Sequence, residues 1–125
     1  GGGRAGDSSL SKELIDLQNQ FRGSMRDYNV VTANIGKSQK ELKMNEITVS
    51  ELEKLPKDSD SKMYRGIGKM FMLCSQEEVF EHLETEMKED EKKITDMTQK
   101  KDYLERRMTS QQQNIKELTS SPAAE

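Results

Sequence analysis

Lys62-Met63-Tyr64-Arg65-Gly66-Ile67-Gly68-Lys69-Met70-Phe71-Met72-Leu73-Cys74 lies near the middle of a chain of 125 residues, and its composition differs from that on either side. The spacing predicts two short strands, about 62–67 and 70–74, joined at Gly68-Lys69, where glycine supplies the positive φ that a tight hairpin needs. The second strand would place Met70, Met72 and Cys74 on one face and Phe71 and Leu73 on the other. A strand apolar on both faces is normally covered on both. A lone two-stranded hairpin is marginal in water and leaves two unpaired edges. The expectation is therefore that these strands meet strands of other subunits. The alternative is a hairpin folded onto its own helices.

Working outward from this centre, the flanks change period. Upstream, Thr48-Val49-Ser50-Glu51 reads as a capping box. It is followed by a short helix over about 49–55 that ends before Pro56, because the residue preceding proline disfavours helical backbone. Lys57 to Ser61 reads as a polar loop. Farther upstream, Leu14, Phe21, Tyr28, Ile35 and Leu42 recur every seven residues, with partner positions Leu10, Leu17, Ser24, Val31 and Ser38. Eight of these ten are apolar, the pattern of a coiled-coil seam over about 10–45. Gly23 and Gly36 fall inside it, each costing a helix about 1 kcal/mol relative to Ala.

Downstream, Ser75 with Glu78 forms a second capping box, and no Gly or Pro occurs from Lys69 to Ser121. The seam there runs Phe80, Leu83, Met87, Asp90, Ile94, Met97, Lys101, Leu104, Met108, Gln111, Ile115 and Leu118, nine of twelve apolar, over a helix of about 76–118. Asp90 and Lys101 interrupt the stripe. They either set register at a cost in stability or are solvated edge positions.

Two such stripes are most simply buried by folding back. An antiparallel pair would set Leu42 near Phe80, Tyr28 near Ile94 and Leu14 near Met108. The acidic start of the second helix, eight acids against Lys88 between Glu77 and Glu91, would face Lys37, Lys40 and Lys43. Exposed pairs contribute only ~0–1 kcal/mol each, so they would select orientation more than hold the pair. Parallel strands of a homodimer fit less well, because the centre is broken.

This organisation explains the composition. Hydrophobic residues are 31% of the chain, charged residues 34%, and mean hydropathy is -0.96. Leu, Ile, Val and Phe number 23 of 125, a proportion that brings disorder into view. Disorder usually also needs a high net charge, and here 20 basic against 23 acidic residues leave only -3. The expected fold is mainly α: a long antiparallel coiled-coil hairpin with a short central β-hairpin. It would form one domain over 10–118, with flexible tails at 1–9 and 119–125.

Signals of chemistry are weak. Gly66-Ile67-Gly68-Lys69 lacks the spacing and the following Ser/Thr of a phosphate loop. His82, the only histidine, sits among Glu78, Glu81 and Glu86 and reads as part of a solvated acidic face, as does the acid cluster at 89–91. Cys74 is the only cysteine and reads as a strand residue of a reducing compartment. The methionines read as packing residues. No catalytic residue, cofactor site or metal site is expected. No membrane span, secretory segment or strong nucleic-acid signal appears.

The order long helix, short capped helix, β-hairpin, long helix resembles that of β-type prefoldin subunits, and the wording is similar too. Glu51-Leu52-Glu53-Lys54-Leu55-Pro56 followed by Asp58 resembles the stretch before that family's hairpin. Tyr64 to Leu73 resembles its Tyr-x-x-x-Gly-x-hydrophobic strand pattern, in the Gly-Lys-Met-Phe form of the eukaryotic subunit 1 branch. Lys101-Asp102-Tyr103-Leu104-Glu105-Arg106 and Asn114-Ile115-Lys116-Glu117-Leu118 are similar to stretches of its second helix.

The resemblance implies a cytoplasmic co-chaperone, leaving a nuclear role open. It implies a heterohexamer of two α-type and four β-type subunits, whose hairpins build a β-barrel platform from which coiled coils project. Unfolded actin and tubulin would be held at the tips, without ATP, for a cytosolic group II chaperonin. Met63, Tyr64, Ile67, Gly68, Met70, Phe71, Met72 and Leu73 would then be assembly contacts. Leu10, Leu14, Leu17, Met108, Ile115 and Leu118 would form the client-holding tip. The competing reading is a structural coiled-coil adaptor that assembles through its hairpin and holds no client.

Overall fold

The computed structural model describes residues 2–55, 62–67 and 70–120, with the side chains of 9–55 and 75–120. Helix α1 runs Gly2–Glu53, strand β1 Lys62–Ile67, strand β2 Met70–Ser75 and helix α2 Gln76–Thr119. Strands β1 and β2 pair antiparallel, from Lys62 opposite Ser75 to Ile67 opposite Met70. The expected loop at 57–61, the turn at Gly68-Lys69 and the end of the C-terminal tail lie outside the described residues, as does the alternation of side chains along the strands. Among the described residues, no helix is long and apolar enough to cross a membrane.

The chain divides into two compact units, Gly1–Asn34 with Met97–Glu125, and Ile35–Asp96. In the first, the less exposed positions of α1 are Leu14, Leu17, Phe21, Gly23, Ser24, Tyr28 and Val31. Those of α2 are Met97, Lys101, Leu104, Met108, Gln111, Ile115 and Leu118. Ser24, Val31, Leu104 and Gln111 are fully buried. In the second unit the same three-and-four spacing runs through Ile35, Ser38, Leu42, Asn45, Val49 and Leu52 on α1. It continues through Val79, Leu83, Glu86, Asp90 and Ile94 on α2. There Val79 and Leu83 form a core against which Val49 and Leu52 pack. The heptad reading thus selected most of the buried stripe of each helix, serines and acid included, because a two-helix contact can shelter only positions that return every 3.5 residues. It missed Val79, which is buried beside the half-buried Phe80 it named, and it included Leu10, which is exposed.

Three expectations are corrected. The first helix does not stop near 45 with a separate short helix over 49–55; α1 is continuous to Glu53. Thr48 is not an N-cap. Its hydroxyl donates to the Met44 carbonyl four residues back at 2.9 Å, the other local bond open to threonine, which leaves the helix intact. At the start of the chain, α1 already includes Gly2 onward, where a tail to residue 9 was expected. Extending an existing helix costs far less than nucleating one, so poor helix formers at its end can be carried along.

The register of the helix pair is also shifted. Tyr28 donates to Glu105 Oε1 at 3.1 Å, and Lys101 Nζ lies 5.6 Å from the Tyr28 ring centroid, so Tyr28 is not at Ile94. Glu13 and Leu17 share a groove with Asn114, Glu117 and Leu118, beyond the expected pairing of Leu14 with Met108. Asn45 Nδ2 donates to Glu86 Oε2 at 3.3 Å, which carries Leu42 past Phe80. The cause is the same continuity of α1: ending the helix at 53 rather than 45 moves the return point by about two turns. The expected facing of Lys37, Lys40 and Lys43 with the acidic start of α2 yields no ion pair among the described residues. Those lysines are exposed, and Lys88 pairs instead with Glu84 on its own helix at 3.3 Å.

The junction beside the strands is fastened by capping. Ser75 Oγ accepts from the Glu78 N–H at 3.2 Å, as the capping box requires. Gln76 Nε2 donates to the Leu52 carbonyl at 3.0 Å, tying the start of α2 to the last turn of α1 as a second bond on an oxygen that also accepts from the Leu55 N–H. Lys54 and Leu55 N–H groups close onto Glu51 and Leu52 carbonyls in a tightened last turn.

Gly23 and Gly36 lie inside α1, and a Cβ at either would meet nothing within 4 Å. The double substitution Gly23→Ala, Gly36→Ala is therefore expected to stabilise the chain by roughly 1–2 kcal/mol, through a smaller entropy loss on folding. Thermal melts followed by circular dichroism check this; an unchanged or lower midpoint would contradict it.

Candidate functional site

Two regions could carry function: the chain-terminal ends of the two helices, and the strand pair. At the helix ends, Leu14, Leu17, Met108, Ile115 and Leu118 are half-buried, while Leu10 is 42% exposed. A two-helix contact covers each seam residue from one side only, so these side chains stay partly open, as Phe21, Leu42 and Ile94 do elsewhere along the stripe. Leu17 and Leu118 share a groove of about 360 Å³ with Glu13, Asn114 and Glu117. The structure thus brings two of the six expected tip residues into one concavity and adds three polar ones. Those three went unread because their convergence depends on the register across the helices, which no single-helix pattern reveals.

The groove combines an apolar floor with acceptor groups. Gln113 Nε2 donates to Glu117 Oε1 at 3.2 Å, steadying that carboxylate. The expected assembly residues Met63, Tyr64, Ile67, Met70, Phe71, Met72 and Leu73 lie on β1 and β2, with Gly68 and all their side chains outside the described residues.

The seam interruptions are resolved. Asp90 is not part of a solvated face with Glu89 and Glu91. It is 2% exposed, and among the described residues its Oδ2 has no hydrogen-bond partner. Its neighbours stay in solvent because only one of three consecutive helical positions can face the partner helix. Lys101 is half-buried and reaches over the Tyr28 ring. His82 Nε2 lies 2.6 Å from Glu86 Oε1, and among the described residues no group of His, Cys, Asp and Glu could hold a metal ion.

The family described as "Prefoldin subunit" matches residues 16–121. The chain belongs to the prefoldin subunit family. It is 30% identical over 119 residues to prefoldin subunit 1 of Tetraodon nigroviridis, covering 95% of this chain and 96% of that relative. It is 29% identical to prefoldin subunit 1 of Homo sapiens, with the same coverage. To the probable prefoldin subunit 1 of Caenorhabditis elegans it is 30% identical over 118 residues, covering 92% of this chain and 97% of the relative. The crystal structure of the prefoldin beta subunit from Thermococcus strain KS-1 superposes with a TM-score of 0.74 at 16% identity, over 88% of this chain and 95% of that one. At that identity the likeness shows the fold: two long helices packed together. Membership in the prefoldin family supports a co-chaperone role and implies assembly with other prefoldin subunits.

Proposed function

We propose that this chain is a β-type subunit of a heterohexameric prefoldin that holds unfolded proteins without ATP, actin and tubulin among them, and passes them to the cytosolic chaperonin. The strand pair is the assembly element, through Met63, Tyr64, Ile67, Gly68, Met70, Phe71, Met72 and Leu73. The helix ends hold the client, through Leu10, Leu14, Leu17, Met108, Ile115 and Leu118. The site of action is the cytoplasm, with the nucleus open to the same complex.

The observation that carries this reading is the distribution of buried surface. The apolar stripe is spent on one helix-to-helix contact, and its terminal leucines remain only half-covered beside a groove. An unfolded client has no fixed shape, so an open and adaptable apolar end suits it better than a closed pocket, and the seam methionine Met108 adds flexible, polarizable surface. No residue needs to act as acid, base or nucleophile for this task.

The test is reconstitution of the full chain with α-type and other β-type partners. The complex is expected to suppress aggregation of denatured actin on dilution and to release it to chaperonin without nucleotide. Assembly without suppression would favour an adaptor instead.

A further inference from the structure

From the groove at the helix ends we infer that this subunit selects client segments in which an apolar side chain is flanked by Lys or Arg. The inference rests on the client-holding reading above and narrows it to a chemical class.

The groove is built by α1 and α2 within one compact unit. Its floor is Leu17 and Leu118, both half-buried, and a cavity of about 360 Å³ is large enough for one aliphatic or aromatic side chain. Its polar lining is Glu13, Asn114 and Glu117. Two of these three are carboxylates, one from each helix, so an occupant is flanked by negative charge on both sides. Lys12 and Lys116, next to the glutamates in sequence, are exposed and do not line the groove. Among the described residues neither Glu13 nor Glu117 forms an ion pair with a residue of the chain, so both carboxylates are available to a cation brought from outside. One Glu117 oxygen is held by Gln113, which fixes the group without neutralising it.

An occupant must therefore place an apolar group on Leu17 and Leu118 and donors or cations beside it. A Leu or Phe followed or preceded by Arg meets both demands, and the aliphatic stem of Arg or Lys adds contact with the floor. A segment with Asp or Glu in the same place meets two like charges and is disfavoured.

The experiment uses the reconstituted complex containing the full chain and three short fluorescent peptides that share the same leucines, flanked by Arg, by Ser or by Glu. Binding is read by anisotropy, and aggregation suppression is measured in parallel. With two exposed charge pairs at stake, the Arg peptide is expected to bind roughly fivefold tighter than the Ser peptide, with the Glu peptide weakest. The difference should shrink at high salt. It should also shrink in the Glu13→Gln, Glu117→Gln variant, whose groove keeps its shape and loses its charge. Equal binding of the three peptides with intact aggregation suppression would overturn the charge selection and leave client holding standing. A preference that survives the double variant would place the selection elsewhere and overturn this assignment. Loss of suppression and of all peptide binding by the unaltered complex would instead overturn client holding itself.

Discussion

A complex assembled with residues 18–108 of this chain is expected to form normally and to lose the client crosslinks that this subunit carries. The deletion removes Leu10, Leu14, Leu17, Ile115 and Leu118, and with them the groove and its two carboxylates. It leaves the best-buried apolar positions: Val31, Ile35, Val79, Leu83 and Leu104. It also leaves the junction made by Ser75, Gln76 and Leu52. The strands, proposed above as the assembly element, are untouched. The effect should be near complete for crosslinks from this subunit and slight for the elution of the complex on a sizing column. Client crosslinks that persist from the shortened helices would move the holding surface away from the ends. A complex that fails to form would show that the helix ends take part in assembly.

Replacing Asp90 by leucine is expected to stabilise the chain more than any other single change. Asp90 is 2% exposed, and one carboxyl oxygen lacks a hydrogen-bond partner among the described residues. A buried polar group without a partner costs about 1–3 kcal/mol, and leucine would replace that cost with apolar contact. For a chain of this length the gain corresponds to roughly 4–12 °C in Tm. Asp90→Asn, which keeps the polar burden but not the charge, should give a smaller rise. A lower midpoint for the leucine variant would show that the carboxyl is satisfied and structural. The substitution should also have a second effect. With the acid gone, the fully buried part of the stripe between Leu83 and Leu104 would hold no polar side chain, which weakens its discrimination against a copy of itself or a slipped register. A single polar seam residue is a known means of forbidding such alternatives. Sedimentation of the variant should therefore show stronger self-association than that of the parent chain.

How far the sequence could be read follows from what each residue senses. The buried stripes were legible because period seven is a property of one helix, and the positions it marks, from Leu14 to Leu42 and from Leu83 to Leu118, are those the structure covers. The pairing of the stripes was not legible. It depended on whether Thr48 capped a new helix or bonded back to Met44, and the sequence permits both. With α1 continuous to Glu53, every cross-helix neighbour lies about two turns from its expected place. The burial of Asp90 could be framed as an option but not decided, since a run of three acids looks solvated until the partner helix is placed. The same reasoning hid Glu13, Asn114 and Glu117, which are ordinary exposed residues on their own helices and become a site only together. The family, by contrast, was readable from the middle of the chain, where Tyr64 to Leu73 carries a wording that no helical stripe would supply.

The bond from Gln76 to the Leu52 carbonyl closes the helix pair at the threshold of the strands. The acceptor is a main-chain carbonyl, so the fastening asks nothing of the side chain at position 52 and everything of the amide at position 76. One glutamine thus serves as a pin between the two helices, and its loss would be felt as slack in their register and not as a hole in their core.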